Sequence, residues 1–205
     1  MNITKIVQLI QRGQTALGIE FGSTQIKAVL ISPDFQPLAS GSFSWKNRLQ
    51  DGIWTYSQVD ILTGLRQSYA QLAAMVSSKY HVKIERIGAI GISAMMHGYL
   101  AFDANDKLLV PFRTWRNTIT EDAAEELTKL FNFNIPLRWS IAHLYHAILQ
   151  NEHHVKDIAY ITTLAGYVHW QLSGEKILAL GTLQECFQLI VMVSLTKHVF
   201  ANFPV

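Results

Sequence analysis

The sequence predicts an α/β fold, a mixed sheet with crossover helices, and three observations predict it. Two apolar runs flank a small-residue turn in ALGIEFGSTQIKAVLI, residues 16–31. A helical period then fills the stretch from Ser57 to Tyr80. IERIGAIGIS, residues 84–93, follows as a continuous apolar run, the pattern of a parallel strand buried on both faces and entered from a crossover helix.

Taken in order, Ile3, Ile6, Val7 and Ile10 make a short amphipathic extension that ends near Gly13. Residues 16–31 form a hairpin around Phe21 to Thr24, and PLASGSFSW supplies a third strand before Asn47, Asp51 and Gly52 break the alternation. Val59, Leu62, Leu65, Tyr69, Leu72, Ala73 and Val76 recur mostly three or four apart, which makes the next element a long helix. Short strands are expected at Tyr99–Phe102, Leu108–Val110 and Ile158–Thr162. Thr120 is expected to cap a helix running to Leu130, with Glu121 and Asp122 in its favourable first turn. Further helices are expected at Ser140–Gln150 and Leu164–Leu172.

Composition excludes several classes of function. The 205 residues carry 17 basic and 15 acidic side chains, a net charge of +2, too weak a field to favour nucleic acid or an acidic membrane. Apolar residues make up 49% and charged residues 16%, enough to fill a core. Cys186 has no partner for an internal disulfide, the N-terminus has no signal-peptide pattern, and no run reaches the roughly 18 apolar residues of a membrane span. The expectation is a soluble, cytoplasmic protein that handles a small molecule.

Chemistry concentrates in a few places. The Gly22, Ser23, Thr24 turn aims backbone N–H groups and two hydroxyls at one point, as a phosphate oxygen requires. Lys27 can add a cation, and Glu20 can hold the waters of a Mg²⁺ on the same phosphates. Plain turn chemistry is the competing explanation of such a tripeptide. His143 and His146, with His153 and His154 beyond, lack the carboxylate or cysteine that would complete metal spacing and are expected to be exposed helix histidines. Ser93 lies in GISAMM, which lacks the second glycine of a hydrolase nucleophile elbow, so hydrolysis is discarded.

The order hairpin, third strand, crossover helix, parallel strand resembles the actin-like, ribonuclease-H-like ATPase domain. GIEFGSTQIKAVLI is similar to the first phosphate motif of the FGGY-family carbohydrate kinases, and AIGISAMMHGYLAFD resembles the substrate-site strand of their xylulokinase-like branch. LLVPFRTWRNT, RWSIAHLYHAI and TTLAGYVHWQLSG follow in the family's order, so the resemblance runs over residues 16–181. It implies transfer of the γ-phosphoryl group of ATP, with Mg²⁺, to a sugar hydroxyl, a pentulose such as xylulose being the expected acceptor. On this resemblance Gly22, Ser23, Thr24 and Lys27 lie at the ATP phosphates and Glu20, where the family usually has Asp, near the metal. Met96, His97 and Gly98 match the family's sugar-contacting Met-His-Gly segment, and Trp115, Arg116 and Asn117 stand at its tryptophan and polar substrate-side positions. A buried core histidine is the bland alternative for His97.

The resemblance also implies where the match ends. Family members read G-D-A-S-G-M-F-P-I-D after a loop such as GEKILAL, whereas this chain reads GTLQECFQLI. Encoding the nine residues after Gly181 as ACG CTT CAG GAA TGT TTC CAA TTG ATA and restoring one G before ACG gives DASGMFPID. The organisation expected is therefore an N-terminal extension (1–15), an incomplete FGGY kinase N-terminal domain (16–181) and a frame-shifted tail (182–205). The family's catalytic aspartate is then not encoded, ATP and Mg²⁺ are not expected to bind productively to this chain, and a non-catalytic decayed fragment or sugar-binding remnant stands as the alternative to a kinase.

Overall fold

The computed structural model describes residues 1–178; the expected frame-shifted tail lies outside them. The chain divides into two compact units, one comprising Met1–Asn47 and Tyr56–Met95, the other Arg48–Thr55 and the chain from Met96 onward.

The first unit opens with helix α1 (Ile3–Gln11), capped by Asn2, whose side chain accepts from the Lys5 N–H at 2.9 Å. Its apolar side buries Ile6 and Ile10, and Gly13 at φ +66° turns the chain into the sheet. Strands β1 (Ala16–Phe21), β2 (Gln25–Ile31) and β3 (Pro37–Ser44) form the expected antiparallel meander, in a register that sets Glu20 opposite Lys27 and Gln25 opposite Ser44. In β1 and β2 the even period is clean. Leu17, Ile19 and Phe21, with Ile26, Ala28 and Leu30, are buried on one face.

Strands β4 (Arg48–Gln50) and β5 (Ile53–Thr55) belong to the second unit. Helix α2 (Gln58–Tyr80) starts at Ser57, whose hydroxyl caps the Asp60 N–H, and covers the buried sheet face with Ile61, Leu72 and Val76. It crosses β3 so closely that a Cβ on Gly41 would stand 2.1 Å from the Ser68 carbonyl oxygen. Strand β6 (Ala89–Ala94) then pairs parallel to β1, giving the order β3-β2-β1-β6.

Two features of β6 correct the sequence expectation. It begins at Ala89, not Ile84, and it is not buried on both faces: Ala89, Ile90, Gly91 and Ser93 are exposed. The physical reason is that α2 packs over β3 and β2 while β6 stands at the end of the strand order, so among the described residues little covers its faces.

The second unit starts with the β4–β5 hairpin, which turns on Asp51 and Gly52, both at positive φ. Strand β7 (Leu100–Phe102) pairs antiparallel with β8 (Tyr160–Thr162), and the expected strand at Leu108–Val110 is reduced to one bridge between Leu108 and Phe102. Helices α3 (Glu121–Phe131) and α4 (Ser140–Leu149) pack through Ala124, Leu127, Ile141 and Ala142, with Ile135 and Trp139 between them. A 3₁₀ turn (His153–Asp157) leads to β8, and α5 (Leu164–Ser173) lays Tyr167 and Trp170 on Phe102. Thr120 does not cap α3 with its side chain; its hydroxyl donates instead to the Leu137 carbonyl, tying the start of α3 to the segment before α4.

Candidate functional site

The candidate residues fall in both units, and each set has its own geometry. In the first unit the Gly22–Thr24 turn joins β1 to β2, closed by a hydrogen bond from the Gly22 N–H to the Gln25 carbonyl at 2.9 Å. Ser23 and Thr24 are exposed. A Cβ on Gly22 would lie 3.1 Å from the Gln25 oxygen, a tight contact that the turn could admit only by opening a few tenths of an ångström.

Behind the turn stand two residues the sequence reading did not single out. The Trp45 indole N–H donates to the Gly22 carbonyl at 2.8 Å and the Tyr56 hydroxyl to the Ser23 carbonyl at 2.7 Å. Their rings stack with centroids 4.0 Å apart, and both are buried.

Glu20 and Lys27 sit beside each other on adjacent strands, Nζ 3.9 Å from Oε2, each side chain more than half exposed. An exposed pair of this kind contributes little to stability and leaves both groups open to a ligand. They line an open, shallow groove of about 440 Å³ on the face of the sheet, lined also by Gly18, Val29, Gly91 and Ser93. Gly18 and Gly91 are register partners, so the floor lacks side chains where the two strands meet.

In the second unit His97 and Gly98 both have positive φ, +67° and +95°. That conformation is uncommon for a histidine and marks a constrained segment. The His97 ring is buried and stacks on Trp139 at 6.3 Å. A Cβ on Gly98 would meet Phe112 at 2.7 Å and the Arg113 carbonyl at 3.0 Å. Met96 is exposed, as are Trp115 and Arg116, the last with its guanidinium 4.0 Å from the Trp54 ring centroid. Asn117 is buried: its Oδ1 accepts from the Trp54 N–H, and its Nδ2 donates to the carbonyls of Trp54 and Thr114. Its amide therefore clamps β5 to the Thr114–Asn117 loop.

The histidines correct another expectation. His143 and His154 are buried rather than exposed, because α4 is apolar around nearly its whole circumference and the 3₁₀ turn sets the His154 ring against Tyr99. His154 joins a network with Tyr99, Arg113 and Glu152, and the His143 ring packs against Tyr99 with centroids 6.2 Å apart. The Tyr99 hydroxyl lies 2.8 Å from His154 Nε2, and Arg113 Nη2 is paired with Glu152. His146 Nε2 and His154 Nδ1 face the same carboxylate, at 4.0 and 3.4 Å. Burial, aided by the Arg113 charge, pushes His143 down to about 3, and burial lowers His146 and His154 as well. Burial also raises the Tyr99 hydroxyl well above the usual phenol range.

Residues 15–182 match the model of the FGGY family of carbohydrate kinases, N-terminal domain. The chain belongs to this family. Over 116 residues, 57% of the chain, it is 31% identical to a gluconokinase of Bacillus subtilis (strain 168), of which the match covers 22%. Among solved structures it is similar to a xylulose kinase from Rhodospirillum rubrum (TM-score 0.73, 17% identity, 83% of this chain and 37% of that one). It is also similar to a xyloylose kinase from Brucella ovis (TM-score 0.69, 21% identity, 78% of this chain and 34% of that one). The α/β architecture of the FGGY kinases is thus established, and the chain spans about a third of the kinase structures it matches. No helix among the described residues is long and apolar enough to cross a membrane.

Proposed function

We propose that this FGGY chain binds the phosphates of ATP at the Gly22–Thr24 turn and a sugar at the Met96–Gly98 and Trp115–Arg116 segments, in an enzyme that transfers the γ-phosphoryl group to a sugar hydroxyl. The observation that carries the reading is the family match itself, whose residues 15–182 include both segments. Phosphoryl transfer of this kind needs positioning and charge neutralisation more than covalent help from the protein.

The residues have the chemistry for those tasks. The exposed Ser23 and Thr24 offer hydroxyls and backbone donors, and Lys27 offers a cation. Glu20 suits a Mg²⁺ that arrives with its nucleotide, because such an ion takes one or two carboxylates and completes its shell with water and phosphate oxygens. The ion would spread the charge that develops on the transferred group. On the sugar side, the exposed Trp115 presents an indole face to C–H groups, and the His97 imidazole can hydrogen-bond a hydroxyl. Asn117, with its amide engaged on Trp54, orients this loop instead of touching the sugar. The reading includes a cytoplasmic location, where ATP is abundant.

A pentulose such as xylulose is the acceptor we favour; gluconate is the second reading, favoured by the match to the Bacillus gluconokinase. Amide shifts of the 205-residue chain, followed during separate titrations with Mg·ATP, xylulose and gluconate, test all of this. Mg·ATP is expected to move the signals of Gly22 to Lys27, and the true sugar those of Met96 to Gly98. Binding of a sugar with no response to Mg·ATP would select the sugar-binding remnant over the kinase, and no response to any of the three would remove the functional reading.

A further inference from the structure

Three consecutive carbonyls of the β1–β2 turn are held by only two residues. Gly22 O accepts from the Trp45 indole N–H, Ser23 O from the Tyr56 hydroxyl, and Thr24 O from the Trp45 backbone N–H at 3.1 Å. A trans peptide is planar, with its C=O and the following N–H pointing in opposite directions. Fixing the Gly22 and Ser23 carbonyls onto the aromatic pair therefore turns the Ser23 and Thr24 N–H groups away from it.

We infer that Trp45 and Tyr56 are positioning residues that preorganise the Ser23 and Thr24 N–H groups as the anion donors of this turn. The inference rests on the phosphate reading of the turn and adds the source of its geometry.

The two side chains are suited to the task. Each has a single N–H or O–H donor, and each directs it to one of two adjacent carbonyls. Trp45 and Tyr56 are 6% and 2% exposed, and Phe21 packs edge-on against Trp45 at 5.9 Å, so neither ring can easily swing away. Without those donors the two peptide planes could rotate, and a turn that must order itself around a ligand binds it more weakly than one already in place.

The test is titration of the 205-residue chain with inorganic pyrophosphate, followed by the Ser23 and Thr24 amide signals. Tyr56→Phe keeps the ring and removes the O–H; Trp45→Phe keeps an aromatic ring and removes the indole N–H. Saturable shifts at both amides are expected in the wild type, with pyrophosphate affinity falling about 3- to 10-fold in each variant. Xylulose affinity and the slow amide exchange of Leu72 and Val76 in α2 should be unchanged, which separates positioning from a general loss of structure. Should one variant lose the α2 protection, the other decides. Wild-type affinity and wild-type Ser23 and Thr24 shifts in a folded variant would overturn the inference while leaving the phosphate reading intact. A wild-type chain whose Ser23 and Thr24 amides ignore pyrophosphate would overturn the phosphate reading and the inference with it.

Discussion

Arg113 and Glu152 are 39 residues apart in sequence and form an ion pair inside the second unit, with side chains 7% and 25% exposed. The Arg113 backbone also exchanges hydrogen bonds with Tyr99, at 2.9 and 3.2 Å. One residue thus links the 3₁₀ turn, the start of β7 and the loop that carries Trp115 and Arg116. The Glu152→Gln variant leaves a buried guanidinium without its counter-charge, and among the described residues Arg113 Nη1 already has no hydrogen-bond partner. A loss of about 3 kcal/mol in urea unfolding is expected, because breaking one side of a buried pair is far costlier than replacing both. The double change Arg113→Met with Glu152→Leu should recover part of that loss. A single variant as stable as the wild type would show that the pair contributes nothing.

His143 makes stability depend on pH, with a definite sign. Its folded value, about 3, lies below the ordinary 6.5, so between those values the unfolded chain binds the extra proton. Stability is then fully present above pH 6.5 and falls as the pH drops toward 3. At pH 5 the loss from this one group is about 2 kcal/mol. His146 and His154, also lowered, add to the same slope. Among the described residues neither ring nitrogen of His143 has a hydrogen-bond partner, so His143→Leu should flatten the profile and raise the melting temperature at pH 5. Equal acid sensitivity of wild type and variant would take His143 out of the explanation.

The β1–β2 hairpin and α2 were legible because apolar residues recur at strand and helix spacing, and the parallel entry of β6 because a continuous apolar run follows a long helix. The β4–β5 hairpin was not read, although Asp51-Gly52 is a strong hairpin signal, because strands of three residues are too short to show alternation. The exposure of β6 was hidden for a different reason: an apolar run reports what a strand can bury, not whether a neighbour is there to bury it. For the site, glycine and hydroxyl residues announced the turn, while Trp45 and Tyr56 did not stand out. Trp45 becomes readable only with the β2–β3 register, which pairs Gln25 with Ser44 and so brings residue 45 level with Thr24. The buried histidines were missed because SIAHLYHAIL is apolar on most sides, leaving no polar face by which to orient α4.

Gly22→Val tests the turn from the other side. The new Cβ would lie 3.1 Å from the Gln25 oxygen, and its branches would crowd the hydrogen bond that closes the turn. Pyrophosphate affinity should fall at least tenfold, about 1.4 kcal/mol, with xylulose binding unaffected. Unchanged pyrophosphate binding would remove this turn from the phosphate site.

Gly98 and His97 give the matching test on the sugar side. Gly98→Ala puts a methyl group at φ +95°, 2.7 Å from Phe112 and 3.0 Å from the Arg113 carbonyl, the oxygen that accepts the Tyr99 N–H. Backbone must move to admit it, so a stability loss of about 2 to 4 kcal/mol is expected, with weakened xylulose binding. His97→Ala removes the imidazole without adding bulk to this crowded corner. Its xylulose affinity should fall by about 1 to 3 kcal/mol, the range for a lost buried hydrogen bond, while pyrophosphate affinity holds. Isothermal titration of both ligands against both variants distinguishes the cases. Equal losses for the two ligands would mean that the substitutions unfold the chain, and full xylulose affinity in His97→Ala would remove the ring of His97 from the sugar site.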